Sequence, residues 1–156
     1  RGVTRTGPWT WHGWQKDLSA AMRKSLRDTL STPREPTDGE IEALLAFLGT
    51  LEHPTSPLRL PDGSLAAEAV RGRELFAGKA GCSACHDGKD FTTPQTYKVG
   101  LESPRYFFPE FNPPSLRGVV AKRRFLHDGR AETLLEVLTT YHRPEKLVDV
   151  LLGDTP

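Results

Sequence analysis

Cys82-Ser83-Ala84-Cys85-His86 is the stretch that decides how the chain is read. Two thiols three residues apart, followed directly by histidine, form the covalent attachment signature of haem c. One helical turn brings both sulfurs to the vinyl groups on one porphyrin edge and holds the adjacent imidazole under the iron, so His86 is the expected proximal ligand. These are the only 2 cysteines of the chain, which leaves none for a structural disulfide or a four-cysteine zinc site. A thioredoxin-like redox pair and a chance match are the competing readings. A redox pair would follow a strand in a βαβ pattern, and no such pattern precedes Cys82.

Working outward, 156 residues with 37% hydrophobic content suffice for one domain with a modest core plus additional segments. A formal charge of +1, from 21 basic and 20 acidic residues, argues against nucleic acid as a partner and against general attraction to membranes. No apolar run approaches the roughly 18 residues of a membrane span. Arg1-Gly2-Val3-Thr4-Arg5 does not read as a signal peptide, so the chain is expected to be mature or cut from something longer. The expected address, the periplasm, follows from the cofactor, because haem c is attached on the outer side of the energy-transducing membrane.

The pattern predicts helices joined by proline-rich connections. Leu18, Met22, Leu26 and Leu30 recur at helical spacing after Asp17 and stop at Ser31-Thr32-Pro33. Thr37-Asp38-Gly39-Glu40 has the form of a capping box ahead of Ile41, Leu44, Leu45, Leu48 and Leu51. Pro54, Pro57 and Pro61 make a linker ending in Pro61-Asp62-Gly63, after which Ser64 is expected to cap a helix leading to the haem motif. Residues 87 to 116 carry Pro94, Pro104, Pro109, Pro113 and Pro114 and read as a long loop around the cofactor. A last helix is expected from Thr133 to about Tyr141, with Glu136 completing a capping box. Short strands fit Tyr97 to Leu101, but no sheet is required. The fold class expected is all-α.

An internal repeat is also legible. Arg117-Gly118-Val119 precedes His127-Asp128-Gly129 by ten residues, with Thr133-Leu134 beyond, while Arg1-Gly2-Val3 precedes His12-Gly13 by eleven, with Asp17-Leu18 beyond. The domain reading is therefore residues 1–53 as a helical segment equivalent to the second half of a cytochrome-like repeat, 54–63 as linker, and 64–156 as the haem-binding domain. The plainer alternative is two loop-to-helix corners with similar capping chemistry. On the repeat reading, the helix at 38–51 closes the first copy and packs against the haem-bearing helix.

Three blocks carry a resemblance. Arg71-Gly72-Arg73-Glu74-Leu75-Phe76 before the haem motif, then Phe111-Asn112-Pro113-Pro114-Ser115-Leu116-Arg117-Gly118-Val119, then Phe125-Leu126-His127-Asp128-Gly129-Arg130-Ala131-Glu132-Thr133-Leu134 resemble the carboxy-terminal haem domain of bacterial dihaem cytochrome c peroxidases and their methylamine-utilisation relatives. The blocks stand in family order and cover residues 71 to about 142. The resemblance implies a class I cytochrome c fold around one haem c, with Arg117 and His127 close to the propionates. It also places a calcium site near the arginine block, where Asn112 and Pro114 fall, though carboxylates there are few. The family has two haem motifs and this chain has one, of the electron-entry type, so peroxidase activity by this chain alone is not expected.

The same resemblance addresses the sixth ligand. In the peroxidases a methionine stands eight residues after the threonine of the third block; counting from Thr133 arrives at Tyr141, followed by His142. Tyr141, His142, the single methionine Met22, and an open position remain the alternatives. Phenolate or imidazole would favour ferric iron relative to a thioether. His12, set among Trp9, Trp11 and Trp14, is expected to be a hydrogen-bonded histidine at a packing corner, although such a cluster could also wall a haem edge. His53 is expected to be a solvated helix-end residue. Lys122, Arg123 and Arg124 make a basic run with Arg117; a solvated loop is the plain reading, and one of these arginines is expected to pair with a propionate. Glu102 and Glu110 are weak acid–base candidates.

Three function classes follow: electron transfer with a redox partner protein, as a monohaem cytochrome or as part of a larger multidomain haem protein; a peroxidase-like haem enzyme; and a haem sensor or structural module.

Overall fold

The computed structural model describes residues 2–53, 55–102 and 108–143. Arg1 of the first repeat block, Pro54 of the expected linker, Pro104 of the expected loop and the stretch 144–156 lie outside the described residues.

Helix α2, Asp38–Thr50, starts where the capping box places it. Thr37 Oγ1 accepts the Glu40 N–H (3.3 Å), the Glu40 carboxylate accepts the Thr37 N–H (2.9 Å), and Arg34 donates to both oxygens of that carboxylate. Ile41, 2% exposed, anchors the helix, with Leu44, Leu45 and Leu48 half-buried on the same side. That side meets α1, Leu18–Lys24, whose N-cap Asp17 accepts the Ala20 N–H (2.7 Å) and whose Leu18 and Ala21 are buried. A π turn, Ser25–Thr29, extends α1 before Ser31 turns the chain at φ 50°.

Replacing Thr37 by alanine is expected to cost about 1 kcal/mol, read by urea denaturation. Arg34 and the Thr37 amide together hold the Glu40 carboxyl at about 2, well below the ordinary glutamate range. A depressed carboxyl stabilises the fold above its unfolded pKa, so this contribution is complete at neutral pH and fades as pH falls from about 4.5 towards 2. Glu40→Gln is expected to lack that component of the acid titration.

Helix α3 spans Ala67–Ala77 and leads into a 3₁₀ turn, Cys82–Ala84. Ser64 does not cap it. Its N–H is taken by Asp62 Oδ1 (2.9 Å) and its carbonyl by the Leu60 N–H (3.0 Å), inside a turn closed by the Arg59–Leu65 bridge. Ala66 occupies the N-cap position without a side-chain bond.

The all-α expectation needs one amendment. The fold is mostly helical, but β1, Tyr97–Lys98, pairs antiparallel with β2, Glu110–Phe111, in the register Tyr97↔Phe111. Strands of two residues are too short for alternation to show in sequence. The final helix begins as α4, Leu134–Glu136, and continues as a π turn, Val137–Tyr141. Its capping box is displaced: Thr133 Oγ1 accepts the Glu136 N–H (3.0 Å), while the Glu136 carboxylate takes the N–H of Glu132 (2.8 Å), one residue earlier than expected.

The two repeat blocks share backbone conformation at a constant offset of 116 residues. Gly2 (φ 66°, ψ 11°) and Gly118 (φ 70°, ψ 12°) each precede a 3₁₀ turn. Thr10 and Leu126 both have positive φ, as do Gly13 and Gly129. Bridges join Trp9 to Gln15 and Phe125 to Ala131, and helices then start at Leu18 and Leu134. This register pairs Trp11 with His127, so His12 and His127 are not equivalent positions.

Placement also corrects the reading of His53. The ring is half-buried: a Cβ on Gly2 would meet its Nε2 at 3.0 Å, and one on Gly118 its Nδ1 at 3.4 Å. Both repeat glycines thus leave room for this side chain, and the Gly2 N–H donates to Leu51 O (2.8 Å) beside it.

Candidate functional site

The segment after the Cys82–Ala84 turn folds back on itself. The Thr92 N–H donates to Asp87 O (2.9 Å) and the Thr93 hydroxyl to Cys85 O (3.2 Å), which tie the loop to the motif. Within this loop His86 Nδ1–H donates to Phe91 O (3.1 Å). A carbonyl can only accept, so this bond requires the tautomer with the proton on Nδ1, in which Nε2 would offer its lone pair to a metal; the Pro114 carbonyl is a second partner of the ring. Burial depresses the imidazole's proton affinity, with the Phe91 and Pro114 carbonyls acting against it, a shift in the direction of the neutral ring that ligation requires.

Cys85 and His86 border a cleft of about 970 Å³, its open mouth included. Its walls are largely apolar: Val99, Leu101, Phe111, Leu116, Phe125 and Leu126 among them. Such a volume and lining suit a planar organic cofactor. Cys82 is not among the lining residues; its thiol points to Ala80 O at 3.7 Å. Burial raises the proton affinity of both thiols.

His127 and His142 also line the cleft, whereas Tyr141 and Met22 do not. The guanidinium of Arg130 sits 5.7 Å above the Tyr141 ring. The reason lies in the helix end: the His142 N–H donates to Val137 O (2.7 Å), a π-type bond, so side chains beyond it leave α-helical register. His127 packs against Phe111, ring centroids 4.8 Å apart, and against Trp11 at 6.2 Å; burial lowers its proton affinity.

Arg117 is not among the lining residues. It faces Asp90, Nε to Oδ1 3.4 Å, and donates to Lys89 O. Lys122 and Arg124, from the basic run, line the cleft instead, and Arg124 pairs with Glu132 (2.9 Å). Trp11 lines the cleft while remaining half exposed. Its neighbour His12 donates from Nδ1 to Glu110 O (2.7 Å) and packs among Trp14, Phe108 and Phe111.

Tyr97 is a lining residue that sequence reasoning placed only in a strand. Its hydroxyl lies 3.0 Å from Thr93 Oγ1 and 3.4 Å from Ala84 O, bracing the motif. An aromatic residue three positions after Pro94 was the available signal. Glu102 and Glu110 do not line the cleft, and Glu110 accepts from the Thr96 hydroxyl (3.0 Å). Among the described residues no group of three or more His, Cys, Asp or Glu is placed to hold a metal ion, and Asn112 donates its amide to Pro8 O. No helix among the described residues is long and apolar enough to cross a membrane.

No family model matches the chain. Curated relatives do. The methylamine utilization protein MauG of Methylorubrum extorquens is 36% identical over 116 residues, covering 64% of this chain and 33% of that protein. Hydrazine synthase subunit gamma of Kuenenia stuttgartiensis is 29% identical over 140 residues, 63% of this chain and 40% of that protein. The cytochrome-c peroxidase IdrP1 of Denitromonas iodatirespirans is 30% identical over 121 residues, 51% and 32%. The chain thus spans about a third to two-fifths of the length of these relatives. A solved structure of K. stuttgartiensis hydrazine synthase shares the fold, with TM-score 0.79 and 23% identity over 90% of this chain and 61% of that one. The chain is thus similar over half to two thirds of its length to a methylamine utilization protein, a cytochrome-c peroxidase and a hydrazine synthase subunit, and it shares its fold with hydrazine synthase.

Proposed function

We propose that residues 64–156 form a monohaem c-type cytochrome domain that transfers electrons in the periplasm. The observation that carries this reading is the cleft that joins Cys85 and the carbonyl-bonded His86 to an apolar wall, with His142 also lining it. Cys82 and Cys85 would attach the haem, His86 and His142 would supply imidazole ligands to the iron, and Lys122 and Arg124 would offset the charge of the propionates. When bound, the haem supplies a one-electron couple. The chain's own part is to hold the His86 ring, exclude water with apolar side chains, and keep cations beside the acidic groups.

Residues 1–53 are proposed to be the second half of a cytochrome-like repeat, joined by the 54–63 linker. Their conformational match to residues 118–134 supports this. A larger multidomain haem protein with a redox partner is the corresponding context.

A peroxidase-like reaction is the second reading, favoured by the relative named as a cytochrome-c peroxidase. It requires an accessible sixth position on the iron. Optical and paramagnetic resonance spectra of the purified ferric protein separate the two. Electron transfer predicts a low-spin spectrum unchanged by peroxide or cyanide within minutes. A high-spin spectrum that responds within seconds would sink it and favour the enzyme.

A further inference from the structure

Outside the cleft lining, one carboxylate gathers contacts from distant parts of the sequence. Asp90 is 7% exposed. Its oxygens accept from Arg5 Nε (3.2 Å) and Nη2 (3.4 Å), and Arg117 Nε lies 3.4 Å away. Its carbonyl accepts the Ser115 hydroxyl (2.6 Å). Arg5 is held in turn by both oxygens of Glu52, at 2.7 and 3.0 Å. Bonding to Arg5 keeps the Asp90 carboxyl below its ordinary range, so it is ionised at neutral pH.

The next residue, Phe91, has φ 51°, a left-handed conformation that a side chain with a Cβ rarely adopts. Such a conformation persists when its surroundings hold it, and it is an observed outlier from which function can be argued. Arg117 sits 5.9 Å above the Phe91 ring, and Phe76 meets that ring edge-on at 5.8 Å. The carbonyl of this strained residue accepts His86 Nδ1–H, and the Pro114 carbonyl is the ring's second backbone partner.

We propose that Asp90, clamped by Arg5 and Arg117, is a positioning residue that sets the Phe91 carbonyl against the proximal histidine and thereby tunes the iron's preference for the ferric state. The proposal rests on the haem reading above. An imidazole that donates to a carbonyl is the more basic ligand and favours ferric iron. Residues 2–53 thus act on the haem through Arg5, which stands 85 residues from Asp90 in sequence.

Spectroelectrochemical titration of the haem-loaded chain tests this with Arg5→Gln, Asp90→Asn, the double variant, and Arg5→Lys. Positioning predicts that both single variants move the equilibrium about threefold towards ferrous haem, close to 28 mV for a one-electron couple. The double variant moves no further than the larger single effect, because one linkage has been cut twice. Arg5→Lys, which keeps the charge, restores at least half of the shift. A through-space charge effect predicts opposite signs instead, since one variant removes a cation and the other an anion. Opposite signs, or no shift in Arg5→Gln, overturn the proposal. Should Asp90→Asn fail to fold, the sign of the Arg5→Gln shift still decides. A wild-type chain that binds no haem c overturns the premise as well, whereas normal haem with an unmoved potential overturns only the positioning role.

Discussion

With both cysteines replaced by serine, the haem is expected to extract fully into acidified organic solvent, whereas in the wild-type chain it stays with the polypeptide through denaturation. Each single variant, Cys82→Ser or Cys85→Ser, keeps one thioether and resists extraction. The cost to the fold should be large. Buried aliphatic and aromatic side chains among the described residues are few: Leu18, Ala21, Ile41, Leu101, Phe111, Ala131 and Val137. Much of the remaining apolar surface from residue 97 onward faces the cleft. A haem filling it takes the part that a packed core plays elsewhere, so its loss removes contacts comparable with deleting a large buried side chain, on the order of 3–5 kcal/mol. Urea midpoints of the wild type and the double variant measure that difference. Covalent haem persisting in the double variant would refute attachment at this motif.

What could be read ahead of the structure follows from how local each signal is. The Thr37/Glu40 box and the Asp17 cap are written within four residues, and both helices start where those signals stand. The haem motif is equally local, and Cys85 and His86 border the cleft. Ser64 misled because a competing local bond, its N–H to Asp62, fixes it in a turn. The ion pair of Arg117 was out of reach of the sequence for the opposite reason. Its partner Asp90 stands in a different loop, and only tertiary packing joins them. The β1–β2 pair likewise depends on residues 97 and 111 meeting across a proline-rich loop. The similarity of the two loop-to-helix corners was legible as short motifs, but the register in which their backbones match was not, because the shared positive φ values of Thr10 and Leu126 leave no mark in residue type.

The choice of sixth ligand turns on the same limit, and His142→Ala is the variant expected to change the iron most. Counting eight residues from Thr133 assumes an unbroken α-helix, which carries side chains round by 3.6 residues per turn. The chain instead closes α4 with a π turn over Val137–Tyr141, with the His142 N–H bonded five residues back to Val137 O. Widening the turn changes which residue faces the cleft: His142 lines it, and the Tyr141 ring lies under the Arg130 guanidinium. Removing the His142 imidazole should therefore convert low-spin ferric iron to a high-spin form that binds cyanide. Because imidazole favours the ferric state, its loss should raise the potential by an amount on the order of 0.1 V, a modest part of the ~0.8 V that axial ligands command. Tyr141→Phe should leave spin state and potential unchanged, since it keeps the ring that Arg130 covers and loses only the hydroxyl. Met22→Leu should do the same, because Met22 does not line the cleft. A spin change in Tyr141→Phe with none in His142→Ala would assign the ligand to the phenol and show that binding haem rewinds the π turn into α-helical register.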